Sequence, residues 1–336
     1  MIRESIAALV EGKSLTFEMA AGTMEEIMGG EATPAQIAAF LTALRMKGET
    51  ADEIAGLAGV MRARATPVKI TVPAIDVVGT GGDGSGSFNI STAAAFIVAG
   101  AGLKVAKHGN RAATSKCGAA DVLEALGVKI DLTAAQVAAC IETAGIGFMF
   151  APAFHPAMKH AAPVRREIGI RTVFNILGPL TNPAGVGHLL LGVASEALGE
   201  KMAAVLRRLG TRHSLVVHGR HGLDEISISG PSLVWDVTAD RVSPARQVSP
   251  QNFGLEESPV STMAGGTPAE NAAAFRRILD GEKGALRDVV VINAAAALVA
   301  GDMTQDYREA ARLARTSIDS GRARQKLDAL VAASRR

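Results

Sequence analysis

Between Gly79 and Ser87 the chain reads Gly-Thr-Gly-Gly-Asp-Gly-Ser-Gly-Ser, five glycines in nine residues. Glycine lets backbone N–H groups approach an anion closely and adopts positive φ without penalty. The apolar run Ile75–Val78 precedes this segment, and Asn89-Ile90-Ser91-Thr92 opens a helical pattern (Ser91–Ala101) beyond it. A helix start offers unpaired N–H groups and the positive end of a dipole. Ser87, Ser91 and Thr92 add hydroxyl donors. A flexible turn would use the same glycines, but strand, glycines, hydroxyls and helix in that order favour a phosphate cradle. The segment lacks the GK[ST] ending of a Walker A loop. Gly79–Gly84 fits G-x-G-x-x-G in form, yet Ala99–Lys104, where a dinucleotide site would place its ribose-binding acid, holds no Asp or Glu.

A second cluster follows the next short apolar run, Leu103–Ala106. It reads Lys107-His108-Gly109-Asn110-Arg111-Ala112-Ala113-Thr114-Ser115, with two cations, an amide and two hydroxyls around a glycine. Read as a loop at the same sheet edge, it supplies the charge and donors that a phosphate or diphosphate needs. A solvated loop would account for Lys107 and Arg111 taken alone, and a packed or surface histidine for His108. The adjacent acids Asp224-Glu225 precede the run Ile226–Ile228. Such a pair suits Mg²⁺, which takes hard oxygen ligands and keeps waters and substrate phosphates in its shell. Acidic pairs are also common on surfaces, so this feature gains force only beside a phosphate cradle. Arg165 and Arg166 could grip a carboxylate in bidentate fashion, or form helix-surface salt bridges. His155 and His160 bring no third ligand, which disfavours zinc.

The elements that must position these groups fall into two textures. Residues up to about 65 read as helices: Ile2, Ile6 and Leu9 share one face, Thr33-Pro34 is an N-cap with proline at the first helical position, and Thr50 to Glu53 has capping-box spacing. Thr66-Pro67-Val68-Lys69 breaks the pattern and reads as a linker. From Val72 strands alternate with helices. Strands are predicted at Ile75–Val78, Leu103–Ala106, Val128–Ile130, Phe148–Phe150, Leu189–Val193, Leu215–Val217, Glu225–Ile228 and Leu233–Val237. Helices are predicted at Ala119–Leu126 and Thr133–Ala144, and a second capping box, Thr267 to Glu270, opens a helical C-terminal section. The alternation implies an α/β fold with a largely parallel sheet. The stretch Pro163–Pro183, with three arginines and three prolines, is expected to return to the helical part. The expected division is residues 1–70 with about 163–183 as a small helical domain, and 71–162 with 184–336 as the α/β domain.

Composition narrows the function. A chain of 336 residues is long enough for about two domains of roughly 150 residues each. Its formal charge of +2 and its 12 aromatics among Phe, Trp and Tyr disfavour a nucleic-acid binder that works through bulk charge or base stacking. The most apolar stretches, Ala93–Leu103 and Val289–Ala300, are shorter than the roughly 20 residues of a membrane span. No signal peptide is read at the N-terminus. The only cysteines, Cys117 and Cys140, form no CxxC; two lone buried thiols are favoured over a single disulfide between them, which fits a reducing, cytoplasmic setting.

Together the motifs resemble the anthranilate phosphoribosyltransferases. The resemblance runs over nearly the whole chain. It rests on Asp76–Asp83, Phe88–Thr92, Lys107–Arg111, Gly118–Glu124, Arg165–Ile168, Arg171–Pro183 and Asp224-Glu225 in this order and spacing. It implies transfer of the 5-phosphoribosyl group of phosphoribosyl diphosphate to the amino nitrogen of anthranilate, in tryptophan biosynthesis. It also implies a small all-helical domain, a larger α/β domain with a mixed, mostly parallel central sheet, a cleft between them, a homodimer through the small domains, and Mg²⁺ dependence. Carried over by position, Gly79, Gly82, Asp83, Ser87, Asn89, Ile90, Ser91, Thr92, Ala119 and the loop Lys107–Ser115 would bind phosphoribosyl diphosphate. Ser91, Asp224 and Glu225 would hold magnesium. Gly79, Asn110 and Arg165 would contact anthranilate, with Arg165 on its carboxylate. No residue stands out as a general base, His108 being the one nearby candidate. The family usually has Ser where this chain has Ala119; one lost hydrogen bond of about 0.5–1.5 kcal/mol would weaken affinity without abolishing activity. Pyrimidine nucleoside phosphorylases share the implied topology and are the rival enzymatic reading.

Overall fold

The computed structural model describes residues 1–112 and 115–336. Four helices open the chain: α1 (Ile2–Val10), α2 (Phe17–Gly29), α3 (Pro34–Lys47) and α4 (Ala51–Arg64). Their starts follow the local sequence. Thr16, Thr33 and Thr50 each accept a backbone N–H of the first turn, and Thr33/Gln36 and Thr50/Glu53 form reciprocal capping boxes. Glu53 does more than cap. It is fully buried, takes Lys47 Nζ at 2.8 Å and accepts the Leu15 N–H at 2.8 Å. One carboxylate thereby fixes the α1–α2 loop against α4.

The rest of the chain alternates strand and helix: β1 (Ala74–Gly79), α5 (Ile90–Ala101), β2 (Lys104–Gly109), α6 (Ala119–Leu126), α7 (Ala134–Ala144) and β3 (Ile146–Phe150). Short helices α8 (Ala151–Phe154), α9 (Ala162–Ile168) and α10 (Phe174–Leu177) lead to β4 (His188–Gly192), α11 (Glu196–Arg208) and β5 (His213–Gly219). Then come β6 (Ser232–Thr238), β7 (Arg246–Val248), α12 (Pro268–Leu279), α13 (Ala285–Ala300), α14 (Tyr307–Asp319) and α15 (Arg322–Ser334). Among the described residues the strands form one sheet of order β3-β2-β1-β4-β5-β6-β7, parallel through β5 and antiparallel at β6 and β7. It is the mixed, mostly parallel sheet expected.

Both sheet faces are covered, as a parallel sheet requires. Leu190, Leu215 and Val217 face the cluster that holds α5 and the fully apolar flank of α13; Leu189, Leu191 and Val216 face the cluster shared by α11 and helices α1–α4. Ala161, Val164, Val173, Phe174, Leu177 and Leu180 lie in that second cluster too. Main-chain bonds tie the crossings between the two regions: Thr66 N–H donates to Phe154 O at 2.8 Å, and Val68 N–H to Pro183 O at 3.0 Å.

Two expected strands do not form. Val128–Ile130 has no ladder; it is an extended link that buries Val128 and Ile130, with Lys129 N–H donating to Ser334 Oγ. Glu225–Ile228 is also outside the sheet. Its main chain is satisfied by a side chain instead: Asn293, fully buried in α13, accepts the Ile226 N–H at 2.8 Å and donates to Ile226 O at 2.9 Å. Nor is Lys107-His108 a loop. β2 runs through both residues to Gly109, and both are buried.

Candidate active site

In a parallel sheet, ligands sit beyond the carboxyl ends of the strands, where the connections part in opposite directions. Here β1 connects onward to β2 on one side, and β4 to β5 on the other, so the crevice lies where β1 pairs with β4. The glycine loop after β1 and the Asp224-Glu225 pair meet at this edge.

The acidic pair is seated on glycines. Gly79 and Gly192 are register partners at the ends of β1 and β4, and Gly219 ends β5. A Cβ on Gly79 would meet Asp224 Oδ2 at 2.2 Å, and one on Gly219 would meet Glu225 O at 2.4 Å. A Cβ on Gly192 would lie 1.6 Å from Asp224 O. Three strands thus end in glycine because the acidic pair lies directly across them, with its main chain against Gly192 and Gly219 and the Asp224 carboxylate against Gly79.

Both carboxylates are buried and turned to the glycine loop and to α5. Asp224 Oδ2 accepts the Gly81 N–H at 2.7 Å, and Glu225 Oε1 accepts the Ser91 N–H at 3.1 Å in the first turn of α5. Burial, then the neighbouring Asp83 charge, pushes Asp224 up to about 7. Burial and the Asp224 charge raise Glu225 as well, opposed by Lys107. Asp83 Oδ2 is buried with no hydrogen-bond partner among the described residues. Three carboxylates that repel one another and lack a full set of donors fit a cation. Among the described residues no three His, Cys, Asp or Glu side chains close a metal cage. A cation here would keep ligand positions for water and substrate oxygens, as Mg²⁺ does.

Lys107 reaches under the site. Its Nζ donates to Val77 O at 2.6 Å; burial lowers its pKa, and Asp76 and Glu225 oppose the shift. Asp76, fully buried and raised by desolvation to about 6, accepts the Val77 and His108 N–H groups and the Asn182 amide at 2.7 Å. Asn182 also donates to Ala106 O at 2.8 Å. The β1–β2 ladder stops at Ile75–Val105. Beyond it Asn182 bridges the two strands, bonding the Asp76 carboxylate of β1 and Ala106 O of β2.

His108 points away from the acidic pair, with Nδ1 3.2 Å from Gly178 O and its ring 5.1 Å from that of His155. Burial, then the His155 and Lys107 charges, drops its pKa to about 3, so the imidazole is neutral. His108 Nε2, His155 Nε2 and Thr172 Oγ1 are buried without partners among the described residues. The two imidazole nitrogens, on rings 5.1 Å apart, are polar positions that a ligand or water could complete. Arg165, half-buried on α9, stacks over Phe174 at 5.0 Å. Arg166 is exposed.

The cradle residues divide by what they do. Ser87 bridges to Ala264, and Phe88 N–H donates to Met263 O, so the end of the glycine loop is tied to the 260–265 segment. Asn89 spends its side chain on Cys117 O and Asn271. Ile90 and Thr92 are buried at the start of α5. Arg111 turns outward to Asp121 and Glu124, and its backbone N–H donates to Asn110 Oδ1. Asp121 Oδ2 accepts from both Ala112 and Gly118 and so pins the two ends of the second loop. Ser115 is exposed, and Ala113 and Thr114 lie outside the described residues. Ala119 is the first residue of α6, and its Cβ lies 3.2 Å from where a Cβ on Gly109 would be.

Three residues the motif reading left without a role shape this site: Asp76, Asn293 and Arg171. Arg171 donates to Gly82 O at 2.7 Å and Gly81 O at 3.2 Å. Asn293 carried a usable signal, a lone amide in the otherwise apolar run Val289–Ala300.

Comparison with known proteins agrees with this geometry. Residues 71–324 match the glycosyl transferase family α/β domain, and residues 3–65 its helical bundle domain. The chain is 61% identical over 335 residues to an anthranilate phosphoribosyltransferase of Chloroflexus aggregans, covering 99% of this chain and 98% of that one. It is 58% identical over 332 residues to one of Dehalococcoides mccartyi, covering 98% and 97%. The crystal structure of the Thermus thermophilus enzyme superposes with a TM-score of 0.94 at 45% identity, covering 99% of each chain. The Saccharomyces cerevisiae enzyme in complex with phosphoribosyl diphosphate and Mg matches at a TM-score of 0.91 and 30% identity, covering 99% and 98%. With both domains matched and this similarity along its whole length, the chain belongs to the anthranilate phosphoribosyltransferase family.

Proposed function

We propose that the chain joins the 5-phosphoribosyl group of phosphoribosyl diphosphate to the amino nitrogen of anthranilate, releasing diphosphate, as a step of tryptophan biosynthesis. The observation that carries this reading at residue level is the Asp224-Glu225 pair laid over Gly79, Gly192 and Gly219 beside the start of α5. It places acidic oxygens, glycine-loop N–H groups and a helix start at one crevice, the set a diphosphate with its metal requires. The yeast relative's complex with phosphoribosyl diphosphate and Mg, and another with 4-fluoroanthranilate, support the same ligands here.

Asp224, Glu225 and Ser91 would hold Mg²⁺, which when bound neutralises charge on the departing diphosphate. The loop of Gly79, Gly82, Asp83 and Ser87 and the α5 start from Asn89 to Thr92 bind the donor through preset N–H and hydroxyl groups. Lys107 supplies positive charge beneath them, and the loop Lys107–Ser115 contributes further donors to the donor's phosphates. Arg111 acts there as a brace, since Asp121 and Glu124 already hold its guanidinium. Arg165 meets the anthranilate carboxylate, with Gly79 and Asn110 against the ring.

The C1–O bond to diphosphate breaks ahead of C–N bond formation, giving the anomeric carbon oxocarbenium character. The amine attacks the opposite face and inverts the configuration. The aromatic amine is neutral at pH 7 and attacks through its lone pair, and its proton leaves afterwards to diphosphate or water. The neutral, inward-turned His108 is a wall of the acceptor site and takes no proton. Closure about the 66–72 linker, anchored at Phe154 and Pro183, excludes water that would otherwise hydrolyse the donor.

We further assign residues 1–70 and about 163–183 to one small helical unit and the homodimer contact to its surface, where Val10 and Met46 are exposed. No described helix is long and apolar enough to cross a membrane. The buried free thiols at Cys117 and Cys140 fit a reducing, cytoplasmic location.

The double variant Asp224→Ala/Glu225→Ala should lose turnover by more than about 100-fold while still folding. Normal turnover at every Mg²⁺ concentration would remove the pair from the mechanism.

A further inference from the structure

The glycine loop has five glycines in nine residues, so a bound conformation must be imposed on it from outside. Arg171 is placed to do so. Its guanidinium lies flat against the loop, with Nη1 donating to Gly82 O at 2.7 Å and Nη2 to Gly81 O at 3.2 Å. The approach is close enough that a Cβ on Gly82 would fall 1.8 Å from Nη1. Peptide groups are planar and trans, so a carbonyl aimed one way sends the next N–H the other way. With the Gly81 and Gly82 carbonyls drawn to Arg171, the N–H groups of Gly82 and Asp83 face away from it. Neither N–H has a partner among the described residues.

Arg171 belongs to the strap between α9 and α10. Thr172 N–H donates to Asn175 Oδ1 at 2.9 Å where the strap enters α10, and Arg165 of α9 stacks on Phe174 of α10 across it. Arg165 and Arg171 therefore sit on one short, anchored piece of chain.

We propose that Arg171 is a positioning residue. It turns two glycine-loop peptides so that the N–H groups of Gly82 and Asp83 form an anion-binding pair for the donor's diphosphate. It also ties the donor loop to the strap that runs on from α9, the helix of the acceptor's Arg165, so that the two substrates bind cooperatively. The inference rests on the site assignment above. Because coupling between sites is reciprocal, each substrate tightens the other by the same factor.

The test uses the full chain with Mg²⁺ and measures donor affinity with and without anthranilate, together with steady-state constants, for wild type, Arg171→Ala and Arg171→Lys. Arg171→Ala should raise KM for phosphoribosyl diphosphate about 10–100-fold, the loss of two charge-assisted hydrogen bonds. The factor by which anthranilate tightens the donor should fall towards one, while the melting temperature stays close to wild type because Arg171 is exposed. Arg171→Lys should recover part of the loss, and added guanidinium should rescue Arg171→Ala but not wild type. Unchanged donor KM and coupling in Arg171→Ala, beside an active wild type, would overturn the inference. So would an equal loss of affinity for both substrates with a lowered melting temperature, which a merely structural role would give. An inactive wild type would instead refute the site assignment, and this inference with it.

Discussion

Replacing Gly192 by Ala puts a methyl carbon 1.6 Å from Asp224 O and 2.5 Å from its carbonyl carbon. Contacts of a real Cβ do not fall below 3.0 Å, so the Asp224 main chain must retreat by about 1.4 Å, the difference between the two distances. Gly192 lies in β4 and is not among the positive-φ glycines, so the effect is steric alone. Displacing a catalytic group by about 1 Å can cost roughly 100-fold. Here that would appear as about 2.7 kcal/mol in kcat/KM for phosphoribosyl diphosphate. Overpacking should also cost about 1–3 kcal/mol of stability. Gly59→Ala in α4 is the control, because its Cβ would meet only Phe17 Cζ at 3.9 Å. It should keep full activity and gain up to about 1 kcal/mol by removing a helix-interior glycine. Steady-state kinetics across Mg²⁺ concentrations and thermal unfolding of both variants decide the matter. A Gly192→Ala enzyme with kcat/KM near wild type would refute the argument that the strand-end glycines exist to seat the acidic pair.

Asn293→Leu leaves the buried Ile226 N–H and C=O without their partners, and should cost about 2–5 kcal/mol in urea unfolding and lower turnover by shifting Glu225. An isosteric leucine with unchanged stability would contradict this role. His213, at the start of β5, lies 3.3 Å from the Asp236 carboxylate through Nε2 and is hydrogen-bonded to Asp302 through Nδ1, and these acids raise its pKa against the effect of burial. A raised histidine stabilises fully below its unfolded pKa and loses that contribution as pH rises through the folded value. His213→Asn should therefore lose more stability relative to wild type at pH 6 than at pH 8; an equal difference at both pH values would contradict the ion pairs. His108, at about 3, should leave no ionisation in the kcat profile between about pH 5 and 9. A limb present in wild type and absent in His108→Gln would restore it as an acid or base.

The sequence made legible whatever local chemistry dictates. The threonine caps at Thr33, Thr50 and Thr267, the strand before Gly79, the helix after Asn89 and the alternation that builds the parallel sheet all follow from neighbours in the chain. What stayed hidden depends on side chains meeting main chain from far away. Glu225–Ile228 has a strand's apolar texture, but Asn293, 67 residues on, supplies the bonds a ladder would have made. Lys107-His108 looks solvated because charge usually is. Only the fold shows Lys107 Nζ against Val77 O, with Asp76 and Glu225 around it. Asp76 and Asn182 are 106 residues apart, and Arg171 is 89 from Gly82, so no periodicity in either segment announces them. The motifs named the candidate residues; those that hold them in place required the structure.

The most direct test of the central claim follows anthranilate fluorescence with purified protein, phosphoribosyl diphosphate and Mg²⁺, beside samples lacking each component. The account predicts loss of signal only in the complete mixture, with diphosphate released in equal amount. A steady signal from folded protein, or phosphorolysis of thymidine or uridine in its place, would contradict it.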